Sequence, residues 1–381
     1  MEKQNFGREP MKLLCLRATW DVSHYCNFRC RFCLSSSGSM QPKNELSTKK
    51  AYAVIDKLYG GGVLFLTLLG GEPLAREDFM RIASCAMQRG MFIRLSTNGS
   101  LVTVEKAEGL AALGSALLHL QVSLYGVDEQ SYRDTTGIEG SYAKVMQGIQ
   151  NLRGAGLEFM IILVATGQNV SRIDEYCALA MNVGAKSIYI TPKADLGRGI
   201  CSYTLKNAEK TVWPVLIRKL REIKEKLQEG DPPIIIDARP AFGEFIKKAT
   251  GFHTSFHLCD AAKYSIYINP NGFASPCPFL RNSPKKLRDI YHDITDMNFL
   301  DHSFGEVWYS DSFERFRQLF DPQKSRIPIN QSCRNFMKGV CTPCATTPCS
   351  CLAQIQVVRA ECHNQSIPLI DHSGGRRAKR E

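Results

Sequence analysis

Three cysteines, Cys26, Cys30 and Cys33, stand within eight residues in the spacing C-x3-C-x2-C. Three thiolates can bind three irons of a [4Fe–4S] cube and leave the fourth iron without a protein ligand, open to chelate a small molecule. A zinc knuckle is the plainer use of the same residues. A second group, Cys333, Cys341, Cys344, Cys349, Cys351 and Cys362, falls within thirty residues, and Cys259 and Cys277 lie between the two groups. These eight can furnish one or two further [4Fe–4S] clusters, or one or two structural zinc sites. In a reducing cytosol, fifteen cysteines read as metal or redox ligands rather than disulfides. Cys15, Cys85, Cys177 and Cys201 lack clustered partners, and Cys85 and Cys177 fall in helical stretches as small core hydrophobes.

The first cysteine group needs a rigid frame, and the pattern around it supplies one. Short apolar runs at 18–23, 63–69, 91–96, 118–124, 158–165 and 187–191 alternate with helix-like stretches at 47–59, 76–89, 104–113, 140–154 and 171–183. Ser47 and Ser171 read as helix starts. Such alternation predicts parallel strands with right-handed crossovers, and six units predict an incompletely closed (β/α)6 barrel. In such sheets the site lies at the C-terminal ends of the strands, where the cysteine loop follows the first one. A basic helical pattern covers 207–228, and Gly230-Asp231-Pro232-Pro233 breaks it. Residues 264–268 and 273–277 then read as a β-hairpin. Beyond it the chain is too poor in apolar runs to bury much core, so metal ligation must help to hold it.

The chain has 381 residues, 44% hydrophobic and 22% charged, enough for a sizeable core. It shows neither an 18-residue apolar run nor a signal peptide, so no membrane span and a cytoplasmic setting are expected. The net charge of +11 suits an acidic partner. The basic residues at 206–226, 281–288 and 376–380 read as solvated faces and a tail, and no aromatic-basic motif speaks for nucleic acid.

In CNFRCRFC the cysteine spacing, with Phe32 before the last cysteine, resembles the hallmark of the radical S-adenosylmethionine (SAM) superfamily. Gly70-Gly71-Glu72-Pro73 after the second strand resembles the family's GGE motif, which meets the methionine amino group. Two glycines would let backbone approach the ligand, and a carboxylate suits an ammonium. Ser96 and Asn98 at the end of the third strand and Ser123 at the end of the fourth resemble positions that contact the ribose and carboxylate, and Arg133 is a further carboxylate partner. The resemblance implies that a reduced cluster cleaves SAM to methionine and a 5′-deoxyadenosyl radical, which abstracts a substrate hydrogen. The sequence singles out no catalytic acid or base; Asp260, Tyr189 and Lys193 are conceivable.

Cys259-x12-Gly272-x4-Cys277, followed by Cys341-x2-Cys344-x4-Cys349-x-Cys351 and Cys362, resembles the SPASM extension of radical SAM peptide-modifying enzymes. The spacings after Cys344 are four and one where the family has five and three. The resemblance assigns Cys341, Cys344, Cys349 and Cys362 to an outer cluster. It assigns Cys259, Cys277 and Cys351 to an inner one, with Cys333 or a substrate at its fourth iron. The implied organisation is an extension at 1–16, a partial barrel at 17–230, a bridge at 231–258, a SPASM domain at 259–362 and a basic tail at 363–381. Motifs through residue 362, including LGRG at 196–199 and INPNGFASPCPF, are similar to the mycofactocin maturases and to the peptide-crosslinking enzymes of pyrroloquinoline quinone synthesis. That likeness implies oxidation, by crosslinking or decarboxylation, of a ribosomally made precursor peptide, with flavodoxin or ferredoxin as reductant. Maturases of this kind must recognise a leader sequence. The short polar start and the segment after Cys362 leave no room for a leader-binding module, so a separate leader-binding protein is expected. A small metabolite, such as a porphyrin or an aminoglycoside-like alcohol, is the rival substrate class, and a zinc protein associated with nucleic acid is the rival outside enzymes.

Overall fold

The alternation of apolar and polar residues in the short strands sorts them into two faces, and the computed structural model of the chain follows that sorting. The structure describes residues 14–39, 44–193, 196–200, 205–238, 240–255, 259–280, 289, 292–321 and 323–324. Six strands, β1 (Arg17–Asp21), β2 (Phe65–Leu69), β3 (Phe92–Thr97), β4 (Leu117–Leu124), β5 (Met160–Ala165) and β6 (Ser187–Pro192), pair in parallel in sequence order. Ala18, Trp20, Leu66, Leu68, Ile161 and Leu163 are fully buried in one core with helix residues such as Val54, Ile55 and Leu58. The interleaved residues, among them Thr67, Ser96, Ser123 and Thr191, lie half-buried on the opposite, inner face.

Helices α1 (Thr48–Gly60), α2 (Phe79–Gln88), α3 (Val104–Ala111), α4 (Glu129–Thr136), α5 (Ser141–Gly154) and α6 (Ile173–Asn182) form the crossovers. Ser47 caps α1 as expected, accepting from the Lys50 amide. Ser171 does not cap α6. It lies in a 3-10 turn at 170–172, and Asn169 anchors the loop by accepting from the Thr166 amide. Helix α4 has no counterpart in the apolar pattern, because only Tyr132 and Thr136 are buried. It is fixed instead by a capping box between Asp128 and Ser131.

The segment expected as a bridge extends the sheet. After α7 (Leu205–Lys226) come β7 (Ile234–Asp237), α8 (Pro240–Thr250) and β8 (His253–Ser255), with both strands parallel to β6. On the far side the predicted hairpin forms β9 (Ser265–Ile268) and β10 (Phe273–Ser275), and β11 (Met297–Asn298) pairs with β10. The full order is β11-β10-β9-β1-β2-β3-β4-β5-β6-β7-β8, an open sheet in which β9 runs parallel to β1. Two short helices, α9 (Phe304–Trp308) and α10 (Asp311–Gln318), follow. No helix among the described residues is long and apolar enough to cross a membrane.

Lys57 of α1 fastens the later region to the earlier one. Its ammonium donates to the carbonyls of Phe299, Leu300 and His302 at 2.6, 2.9 and 2.5 Å. Lys57→Met keeps the apolar stem but leaves three carbonyls without their donor. It is expected to cost about 2–3 kcal/mol, read as a lower denaturant midpoint; an unchanged midpoint contradicts the staple.

Candidate functional site

The loop that follows β1 carries the first three cysteines, and its neighbours hold it by the backbone. The Cys26 amide donates to Gly38 O at 3.0 Å, and the amides of Arg29 and Arg31 donate to the carbonyls of Thr136 and Thr135 at the end of α4. Helix α4, unforeseen in the sequence, therefore supports the cysteine loop. Cys26 and Cys30 are buried and Cys33 is half-buried. Burial pushes the Cys26 thiol up to about 11 and the Cys30 thiol higher still, with the other cysteines adding to both. Cys26 and Cys30, so buried, are unfavourable as anions until a cationic group neutralises them. Among the described residues no three Cys, His, Asp or Glu side chains converge on a single-ion site. Thiols close enough to repel one another but not gathered on one ion fit a polynuclear iron cluster better than a zinc knuckle.

The Gly70–Glu72 turn after β2 lies directly under this loop. The Gly71 amide donates to Ser23 O and the Glu72 amide to Tyr25 O, each at 2.7 Å. A Cβ on Gly71 would collide with the Tyr25 carbonyl, and Gly70 has φ +138°. The glycines thus let the turn approach the cysteine loop's own backbone, a closer constraint than the ligand approach expected from the sequence. The Glu72 carboxylate likewise points inward. It is fully buried and accepts from Thr97 Oγ1 at 2.6 Å, Asn98 N at 2.7 Å and Leu74 N at 3.1 Å. Burial raises its pKa against these three donors. Its side chain ties the β2 turn to the end of β3.

Asn98 joins the group. Its Nδ2 donates to Asn27 Oδ1 at 2.9 Å and reaches Cys26 Sγ at 3.9 Å. Ser96 sits half-buried on the inner face of β3, and Ser123 on that of β4. Arg133 stands apart. Its exposed guanidinium donates to Glu139 Oε1 at 3.1 Å and to Gln130, with no hydrogen bond to the cysteine loop among the described residues.

Cys277 is buried just after β10, and Cys259 is half-buried ahead of β9. Cys333, Cys341, Cys344, Cys349, Cys351 and Cys362 lie outside the described residues. Of the conceivable acid–base groups, Asp260 pairs with Arg17 at 3.2 Å, Tyr189 shares a 2.6 Å hydrogen bond with Ser255, and Lys193 donates to Gly199 O at 3.1 Å.

The sequence reading missed Tyr125 and Asp21. The Tyr125 ring lies 6.1 Å from that of Phe28 and 6.0 Å from that of Phe32, under the cysteine loop. Asp21 ends β1 on the inner face and accepts from the Tyr267 hydroxyl of β9 at 2.7 Å. A carboxylate at an alternating strand position was the available signal. Burial pushes the Asp21 carboxyl up to about 6, so the folded state binds this proton more tightly than the unfolded chain, whose value is 3.8. Stability therefore falls as the pH rises from about 4 to about 6 and stays lower above it. Asp21→Asn removes that loss. It should melt above the parent at pH 8, by on the order of 1–3 kcal/mol, and level with it below about pH 4. Equal melting at pH 8 would show that the carboxylate is solvated.

The family model of the radical SAM superfamily matches residues 20–180, and that of an iron–sulfur cluster-binding domain, SPASM, matches 259–335. The mycofactocin maturase MftC of Mycolicibacterium smegmatis is 32% identical over 328 residues, 84% of this chain and 76% of that one. The PqqA peptide cyclase of Rhizobium meliloti is 26% identical over 316 residues, 81% and 76% of the two chains. Streptococcus suis SuiB bound to S-adenosylmethionine has the same fold, with a TM-score of 0.62 at 18% identity, covering 87% of this chain and 72% of that one. The chain belongs to the radical SAM superfamily, in its branch with the SPASM domain, and is an enzyme that works with S-adenosylmethionine and [4Fe–4S] clusters.

Proposed function

We propose that this enzyme oxidatively modifies a residue of a ribosomally made precursor peptide. The observation that carries the radical chemistry is the three-thiol loop laid on the Gly70–Glu72 turn at the C-terminal mouth of the parallel strands. Cys26, Cys30 and Cys33 hold the cluster, whose open iron supplies the reductive cleavage of SAM once the cofactor is bound. Backbone of Gly70, Gly71 and Glu72, with Ser96, Asn98 and Ser123, positions SAM; Arg133 serves its carboxylate only if the guanidinium leaves Glu139. Cys259, Cys277, Cys333, Cys341, Cys344, Cys349, Cys351 and Cys362 would hold the auxiliary clusters, which would supply an electron acceptor for a net oxidation.

A peptide substrate is supported by the similarity to a maturase and to a peptide cyclase across both matched regions. In this reading a separate leader-binding protein presents the peptide, flavodoxin or ferredoxin supplies electrons, and the setting is the cytoplasm. The partial barrel of residues 17–230 carries SAM, and residues 259–362 carry the auxiliary clusters.

The test is anaerobic reconstitution with iron and sulfide, then incubation with SAM, dithionite and candidate short precursor peptides. Release of 5′-deoxyadenosine with a mass loss in the peptide supports the proposal. Deoxyadenosine with an unaltered peptide, and turnover of a porphyrin instead, replaces the substrate class. Colourless protein carrying zinc and releasing no deoxyadenosine overturns the whole reading.

A further inference from the structure

The segment after β6 crosses back over the cysteine loop and binds it along much of its length. The Arg198 amide donates to Cys33 O at 3.0 Å, its Nε to Cys30 O at 2.8 Å and its Nη1 to Ser37 O at 2.5 Å. Gly197, at φ +54°, lies so close that a Cβ would run into the carbonyls of Leu34 and Cys33. Lys193 secures the other side of the segment through Gly199 O. The crossing is therefore built, with a glycine where only a glycine fits and a half-buried guanidinium spanning two carbonyls seven residues apart in the loop.

We propose that Arg198 is a positioning residue that holds its positive charge against the cysteine loop and thereby makes the cluster there easier to reduce. The inference rests on the reading that Cys26, Cys30 and Cys33 hold that cluster. Reduction adds one electron, supplied by flavodoxin, ferredoxin or dithionite, and neither forms nor breaks a bond. It adds one negative charge to a site that already gathers three thiolates. Arg198 is the cation that acts on Cys30, whereas the charges that act on Cys26 are those of Glu72 and Cys33. A fixed cation favours the more negative, reduced state, and net charge and hydrogen bonding are among the levers that set cluster potentials. Two bonds from one planar fork also fix where the charge sits, which a flexible ammonium does less well.

The test compares R198Q and R198K with the parent as reconstituted full-length chains. The reduced signal in electron paramagnetic resonance that changes on adding SAM identifies this cluster among the others, and its midpoint is followed by redox titration. R198Q should keep its iron and shift to a lower midpoint, while R198K should stay near the parent. Equal midpoints in R198Q and the parent, with full iron in both, overturn the proposal. If R198Q loses iron, R198K decides: restored iron and a restored SAM-responsive signal support a role for the charge, and an iron-poor R198K that melts like the parent overturns it. A parent chain with no SAM-responsive signal overturns the cluster assignment itself, and the role of Arg198 with it.

Discussion

Replacing Cys26, Cys30 and Cys33 together by alanine is expected to reduce SAM cleavage to the solvent background and to remove roughly four irons per chain. The effect should be complete because each thiol supplies one corner of a single object. Iron held by the later cysteines should remain, so the variant should stay coloured. The iron-free form provides a second readout. Burial raises the Cys26 and Cys30 thiols, so removing them should not destabilise the apo chain through lost electrostatics. A triple variant that still releases 5′-deoxyadenosine would show that the cluster sits elsewhere.

Gly71→Ala should be nearly as damaging, although no chemistry belongs to the residue. The added methyl meets backbone, the Tyr25 carbonyl, which cannot rotate away as a side chain could. The same carbonyl accepts the Glu72 amide, and Ser23 O accepts that of Gly71, so relief of the clash breaks the two bonds that seat the cysteine loop. Cys26 follows Tyr25 directly and must move with it. A displacement near 1 Å in a reacting site costs about 100-fold in rate, which is the expected loss in deoxyadenosine formation, together with lower iron retention. Gly154→Ala is the matched control: its Cβ meets nothing within 4 Å at the end of α5, so activity should be unchanged and stability equal or higher. Parent-like rates in both variants would mean that the turn gives way more easily than its contacts indicate.

The alternation of short apolar runs such as FLTLL and MIILVA with helix-like stretches made the barrel legible, because strictly alternating strand and helix implies parallel strands. The cysteine loop was legible for a different reason, since thiol spacing limits what can be bound. Helix α4 escaped because its polar residues bury little and its start depends on a two-residue cap rather than on an apolar stripe. β7 and β8 escaped because strands of four and three residues carry too little periodicity to distinguish from a linker. The surroundings of Glu72 escaped the sequence for a deeper reason. A carboxylate beside two glycines has the right chemistry for an ammonium, but its partners, Thr97 and Asn98, come from another strand, and only the packing reveals that they already occupy its oxygens. Arg198 was visible in sequence as LGRG without a use, because its contacts span more than 160 residues of chain.

The parallel pairing of β9 with β1 constrains how this protein can be dissected. The strand that launches the cysteine loop is flanked on both sides, by β2 and by β9, and Tyr267 of β9 hydrogen-bonds to its last residue. Cutting the chain before residue 259 would strip one of those flanks and leave a row of unmet amides and carbonyls beside the metal-binding loop, an invitation to self-association. The portion matched as radical SAM and the portion matched as SPASM are thus one woven unit, and a minimal fragment meant to retain SAM chemistry has to keep the hairpin.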